Sequence, residues 1–102
     1  MEGHPPPDNL PAVQCDLNAQ GWAGNGDTSF YALSQEPLAA LNPVSGQKVF
    51  LWDEDDEDTV LGWVAVLEPC NFPHGPSWRA IPVPGTFYRG PKPAAVLRWL
   101  GA

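Results

Sequence analysis

The sequence has no apolar run long enough to cross a bilayer: its longest, residues 60–67, spans eight residues where a spanning helix needs ~20. It also lacks a basic start followed by an apolar stretch at its N-terminus, so no export signal is read there and a soluble, cytoplasmic protein is expected. With two cysteines, two histidines and one methionine, it is poor in the side chains that do most metal and nucleophilic chemistry. Cys70 and His74 have the spacing of half a zinc site, but the remaining donors, Cys15 and His4, form no second closely spaced pair. The same Cys-His pair lies between prolines with no orienting third residue, which disfavours covalent catalysis. No phosphate-cradling or dinucleotide fingerprint occurs. The expectation is therefore a protein that is not an enzyme and carries no metal or other cofactor, with both cysteines packed as small hydrophobes.

Basic residues are scarce as well, five Lys and Arg against twelve Asp and Glu, for a net charge of −7. All twelve acids and Lys48 fall in residues 1–68, whereas residues 69–102 hold Arg79, Arg89, Lys92 and Arg98 and no acid. A chain this acidic is a poor generic binder of nucleic acid, because the phosphate backbone is recognised by clustered cations that release its counterions.

Thirteen prolines and ten glycines punctuate what remains into short segments. Residues 1–11 form a Pro-rich arm, read as flexible, ahead of one compact domain over 12–102. Residues 12–18 alternate apolar and polar, as a strand with one buried face does. Residues 21–28 are Gly-rich and read as a loop around Trp22, and 29–33 as a second strand. Residues 34–43 have the cap and stop signals of a short helix. The segments 48–52 and 59–69 do not alternate, which predicts strands covered on both faces, and Gly62 inside the second suggests a bulge or a close backbone approach. A strand over 77–84 is expected at a sheet edge because of Pro82, with a last strand near 84–90. A helix following Pro93 is expected to turn Val96, Leu97 and Leu100 inward. The fold class read from this order is mainly β (α+β): a small antiparallel β-roll or SH3-like barrel with one short internal helix and a short C-terminal helix.

Between the two most apolar strands stand six consecutive carboxylates, Asp53, Glu54, Asp55, Asp56, Glu57 and Asp58. They are expected in an exposed hairpin loop, since six charges tolerate water and not burial. The run fails the EF-hand pattern, with Asp58 at the glycine position and Val64 where the bidentate Glu belongs. Two readings remain for it: a charged gatekeeper against edge pairing, and a docking surface for a partner protein with a basic surface. The second is the leading functional expectation, with Trp22, Tyr31 and Trp52 as aromatic anchors beside the acids. A nucleic-acid-mimicking inhibitor is the first alternative. A domain recognising an anionic ligand through Arg79, Arg89 and Lys92 is the second. A monomer and a homodimer both fit.

Overall fold

The computed structural model describes residues 3–15, 20–23, 28–33, 41–69 and 78–101, with backbone alone for 20–23 and 28–33. Its strands are β1 (Ala12–Gln14), β2 (Gln20–Ala23), β3 (Thr28–Leu33), β4 (Lys48–Asp56), β5 (Thr59–Pro69), β6 (Trp78–Pro82) and β7 (Tyr88–Pro91), followed by helix α1 (Ala94–Gly101). They form one sheet in the order β1-β4-β5-β6-β3-β2, with β7 also pairing β5. The fold is mainly β with a short C-terminal helix. Two features depart from a closed antiparallel roll. β1 runs parallel to β4, so the sheet is mixed. The strand path ends at β1 on one side and β2 on the other, so the sheet is open. The expected internal helix lies mostly in residues outside those described.

β4 and β5 pair from Lys48↔Val66 to Asp56↔Thr59 and form the longest ladder among the described residues. Paired residues share a face, which sorts the apolar side chains into two cores. On one face Val13, Val49, Leu51, Ala65, Leu67 and Ala80 are fully buried, with Cys15, Trp63 and Trp78 against them. On the other, Ala12, Phe50, Trp52, Val60, Tyr88 and Val96 pack together with Trp99 beside them. This accounts for the missing alternation: both faces of β4 and β5 are covered, as expected. Each large side chain buried this way contributes ~1.5–3 kcal/mol of transfer free energy.

Gly62 makes the second core possible. It stands opposite Trp52 in the ladder, and a Cβ placed on it would fall on the Leu51 carbonyl oxygen and 3.0 Å from both Phe50 Cζ and Trp52 Cα. The glycine marks a close approach; the bulge lies elsewhere, between Glu54 and Asp56. Midway along β5 the edge changes partner, from β6 at residues 65–69 to β7 at 59–62. Thr86 closes the gap: the Val64 N–H donates to its Oγ1 at 3.1 Å, and the hydroxyl donates to the Val83 carbonyl at 2.6 Å.

The strand expected over 12–18 is described over 12–14, and the expected alternation holds there, with Val13 buried and Gln14 exposed, while Ala12 joins the second core. Three sequence expectations are corrected. Residues 20–23 are a strand and not loop, since the Gly-rich segment pairs back on β3. β6 is not an edge strand: it lies between β5 and β3, and Pro82 is accommodated as its last residue, beyond the final β3 pair at Tyr31↔Ala80. On α1 the inward residues are Ala95 and Val96, with Trp99 packed on the core, whereas Leu97 and Leu100 are exposed. The strands 29–33, 48–52 and 59–69 are found where expected, and the last strand, expected near 84–90, is confined to Tyr88–Pro91. Among the described residues no helix is long and apolar enough to cross a membrane.

Two predictions test this packing. Gly62→Ala should destabilise the fold by ~1–3 kcal/mol through overpacking, read as a lower urea midpoint. Gly101→Ala, with nothing within 4 Å, should change it by less than ~0.5 kcal/mol. Tyr88, only 2% exposed, donates its hydroxyl to the Pro91 carbonyl, and burial raises its phenol pKa above the ordinary 10.0. Below pH ~10 folded and unfolded chains both keep this proton; above it the unfolded chain loses it first, so stability falls as pH rises. Tyr88→Phe should remove that part of the alkaline decline while costing ~0.5–1.5 kcal/mol near neutrality for the lost hydrogen bond, both measurable by denaturant titration across pH.

Candidate functional site

The carboxylates are not a loop. β4 continues through Asp56, leaving Glu57 and Asp58 as a two-residue turn into β5. Aspartate is a poor strand former, but Asp53 and Glu54 stand opposite Leu61 and Val60, and Asp56 opposite Thr59, so β5 holds them extended. Neither turn residue has the positive φ of a primed hairpin turn. The bulge at Asp55 accommodates the resulting mismatch in twist.

The bulge also aims Asp55 sideways at β7. Arg89 Nε donates to Asp55 Oδ2 at 2.8 Å and Nη2 reaches Oδ1 at 3.4 Å. Asp53 Oδ1 accepts the Glu54 backbone N–H at 2.8 Å. β1 pairs β4 only from Phe50 to Trp52, so among the described residues that side of β4 is uncovered from Asp53 onward. Glu54, Asp56, Glu57 and Asp58 are exposed, and among the described residues they form no ion pair. Alternating carboxylates ~7 Å apart repel by under ~1 kcal/mol at water's dielectric, which a solvated strand end tolerates.

The C-terminal bases are distributed, not gathered. Arg89 takes Asp55; Arg79 binds Glu68 Oε2 through Nη2 at 2.6 Å and Nε at 3.1 Å; Arg98 stands 3.7 Å from Asp8. Arg79 pairs with Glu68 and Arg89 with Leu61 on the same strand. Seven residues of β5 therefore separate them, ~23 Å at strand rise. Lys92 follows Pro91, which pairs with Thr59 near the turn. At the acidic run, Asp55–Arg89 joins the opposed charges of the two halves.

The aromatic candidates separate from the acids too. Trp52 is 1% exposed, its indole in the second core, so it is removed from the surface. Its Nε1–H has no acceptor among the described residues, a cost of ~1–3 kcal/mol comparable to what burying the ring contributes. Tyr31 stands in the row of Ala80 and Leu67, and Trp22 opposite Ser29 two residues back along β3. From Thr59 at the turn, these rows are ~20–26 Å away along β5 at 3.3 Å per residue. Sequence reading missed Arg89 as the partner of Asp55; the only signal was the opposed charge of the two halves. Among the described residues no three of His, Cys, Asp and Glu are grouped to hold a metal ion; Cys70 and His74 lie outside them. Searches against protein-family models, curated proteins and solved structures find no match to this chain.

The Asp55–Arg89 pair is half-exposed on the arginine side, 50% against 20% for the aspartate. A double-mutant cycle with Asp55→Asn and Arg89→Gln should give a coupling of ~0.2–1 kcal/mol, and the melting temperature should change little between low and moderate salt. A coupling of several kcal/mol would mean that the pair holds the hairpin closed.

Proposed function

We propose that the protein is a non-enzymatic interaction module that uses the acidic end of the β4–β5 hairpin to capture a partner protein with a basic surface, within the cytoplasm. The observation that carries this reading is the placement of Glu54, Asp56, Glu57 and Asp58: exposed and without ion pairs among the described residues, at the end of a ladder whose residues 49–52 are buried. A rigid support presenting unpaired charge of one sign raises the association rate with an oppositely charged partner more than it raises intrinsic affinity. The nucleic-acid-mimicking alternative draws less support, because the acids are concentrated at one strand end and Glu68 and Asp8 face arginines. The anion-binding alternative draws less still, since Arg79 and Arg89 already hold carboxylates.

The test keeps Asp55 and its arginine in place. Asp56→Ser, Glu57→Ser and Asp58→Ser together should leave the melting temperature within a few degrees of wild type. They should lower the association rate with partners retained from host extract by ~10-fold at low salt, with the difference shrinking at high salt. Equal capture by the folded variant at low salt refutes the reading. Retention of nucleic-acid-binding enzymes alone would favour the mimic instead.

A further inference from the structure

The second core is closed by pieces that the sheet's hydrogen bonds do not hold. Phe50 and Trp52 stand opposite Val64 and Gly62 on β5. Tyr88 pairs with Gly62 from the other side, its ring edge-on to Phe50 with centroids 6.2 Å apart. Val96 of α1 packs into this group, while residues 3–7 border the same face of the sheet at Val64, with Gly85 and Thr86 beside it. The arm expected to be flexible is therefore a wall of the fold. Pro6 is buried in it, and Gly3, at φ 73°, sits so close to the Phe87 carbonyl that a Cβ would overlap the oxygen. Asp8, 3.7 Å from Arg98, joins the arm to the helix.

We propose that residues 3–10 and α1 form a latch over the second core, which opens as one unit while the β4–β5 ladder stays folded and so exposes Phe50, Trp52 and Tyr88. The latch is held less firmly than the ladder. Its helix has eight residues, below the ~12–15 at which isolated helices become even marginally stable in water, so it depends on docking. Only Ala95 and Val96 are buried on it, and Leu97 and Leu100 are exposed. Among the described residues no hydrogen bond ties residues 3–9 or α1 to the sheet. The Asp8–Arg98 pair leaves both side chains mostly exposed, where water screens it. Beneath the latch the Trp52 indole N–H has no acceptor among the described residues, and opening lets water supply one, which lowers the cost of opening. The ladder keeps its strand pairing and its first core when the latch lifts. Arm and helix move together because they cover one face and meet at Asp8 and Arg98, so lifting either wets the rim of the other. The acidic hairpin lies outside the latch, and the two can be tested apart.

Native-state hydrogen exchange of the full-length chain across sub-denaturing urea tests this. In wild type the intrahelical amides of residues 97–100 should share one opening, easier than the opening that releases the ladder amides of Val49 and Leu51. Gly3→Val, which the Phe87 carbonyl excludes from the closed arm, should speed exchange of those helix amides by at least ~10-fold, although residue 3 lies outside the helix. Leu67→Val, in the first core, should speed the Val49 and Leu51 amides and leave the helix amides unchanged, because that core stays closed when the latch opens. Should Gly3→Val fail to fold, Pro6→Ala makes the same test with a smaller loss from the arm. Helix amides that ignore both arm variants overturn the proposal, since the helix would then open alone. Helix amides that merge with the ladder in wild type, or that respond to Leu67→Val as the ladder does, overturn it as well, since arm, helix and sheet would then open only together.

Discussion

Everything in this molecule hangs on the β4–β5 ladder being covered on both faces. Most small sheets have one dry face; here Val49 and Leu51 feed one core while Phe50 and Trp52 feed the other. The remaining elements are placed by what those faces need. β1 and α1 close the Phe50–Trp52 side, β6 contributes Ala80 to the Leu51 side, and β7 pairs where β5 would otherwise be bare. Gly62 is the constraint that lets this happen, since any side chain there would collide with the β4 backbone at the point where Trp52 crosses. The indole N–H of Trp52, which has no acceptor among the described residues, shows the cost of the arrangement: the ring is buried for its area.

The same ladder explains how so much charge is tolerated so close to the core. β4 passes from fully buried at Trp52 to carboxylates at Asp53 without leaving the strand. Pairing with Thr59, Val60 and Leu61 fixes the backbone, so the acids need no packing of their own. One of them, Asp55, is turned by the bulge to Arg89, and that link ties β7 to the hairpin end. The charges on the uncovered side of β4 also discourage edge-to-edge association, which every open sheet must manage. Edge protection and partner capture use the same side chains and do not exclude each other.

The central strands were legible in the sequence because their signal was strong: two apolar segments without alternation, a glycine between a tryptophan and a leucine, and turn residues on either side. The sheet's periphery was less so. The strand around Trp22 was hidden by composition, since its glycine-rich setting carries turn signals and says little of a segment that pairs through its backbone. Pro82 suggested an edge; only the register shows that the pairing of β6 with β3 ends two residues earlier, at Ala80. In α1, two turns long, Val96 with Trp99 and Leu97 with Leu100 are equally good stripes at a spacing of three, and only the docked core chooses between them. The acidic run read as a loop because six charges must stay solvated, yet a strand end paired on one side keeps them solvated as well. The charge split between the halves was plain, but which arginine meets which acid depends on register.

Native-state hydrogen exchange tests the central claim, that a doubly covered ladder carries a solvated acidic end. Amides of residues 49–52 and 63–67 bonded within the sheet should exchange last, only on global unfolding, while those of Glu57 and Asp58 should exchange orders of magnitude faster. Slow exchange at the turn, or loss of protection in β4 and β5 before β2 and β3, would contradict it.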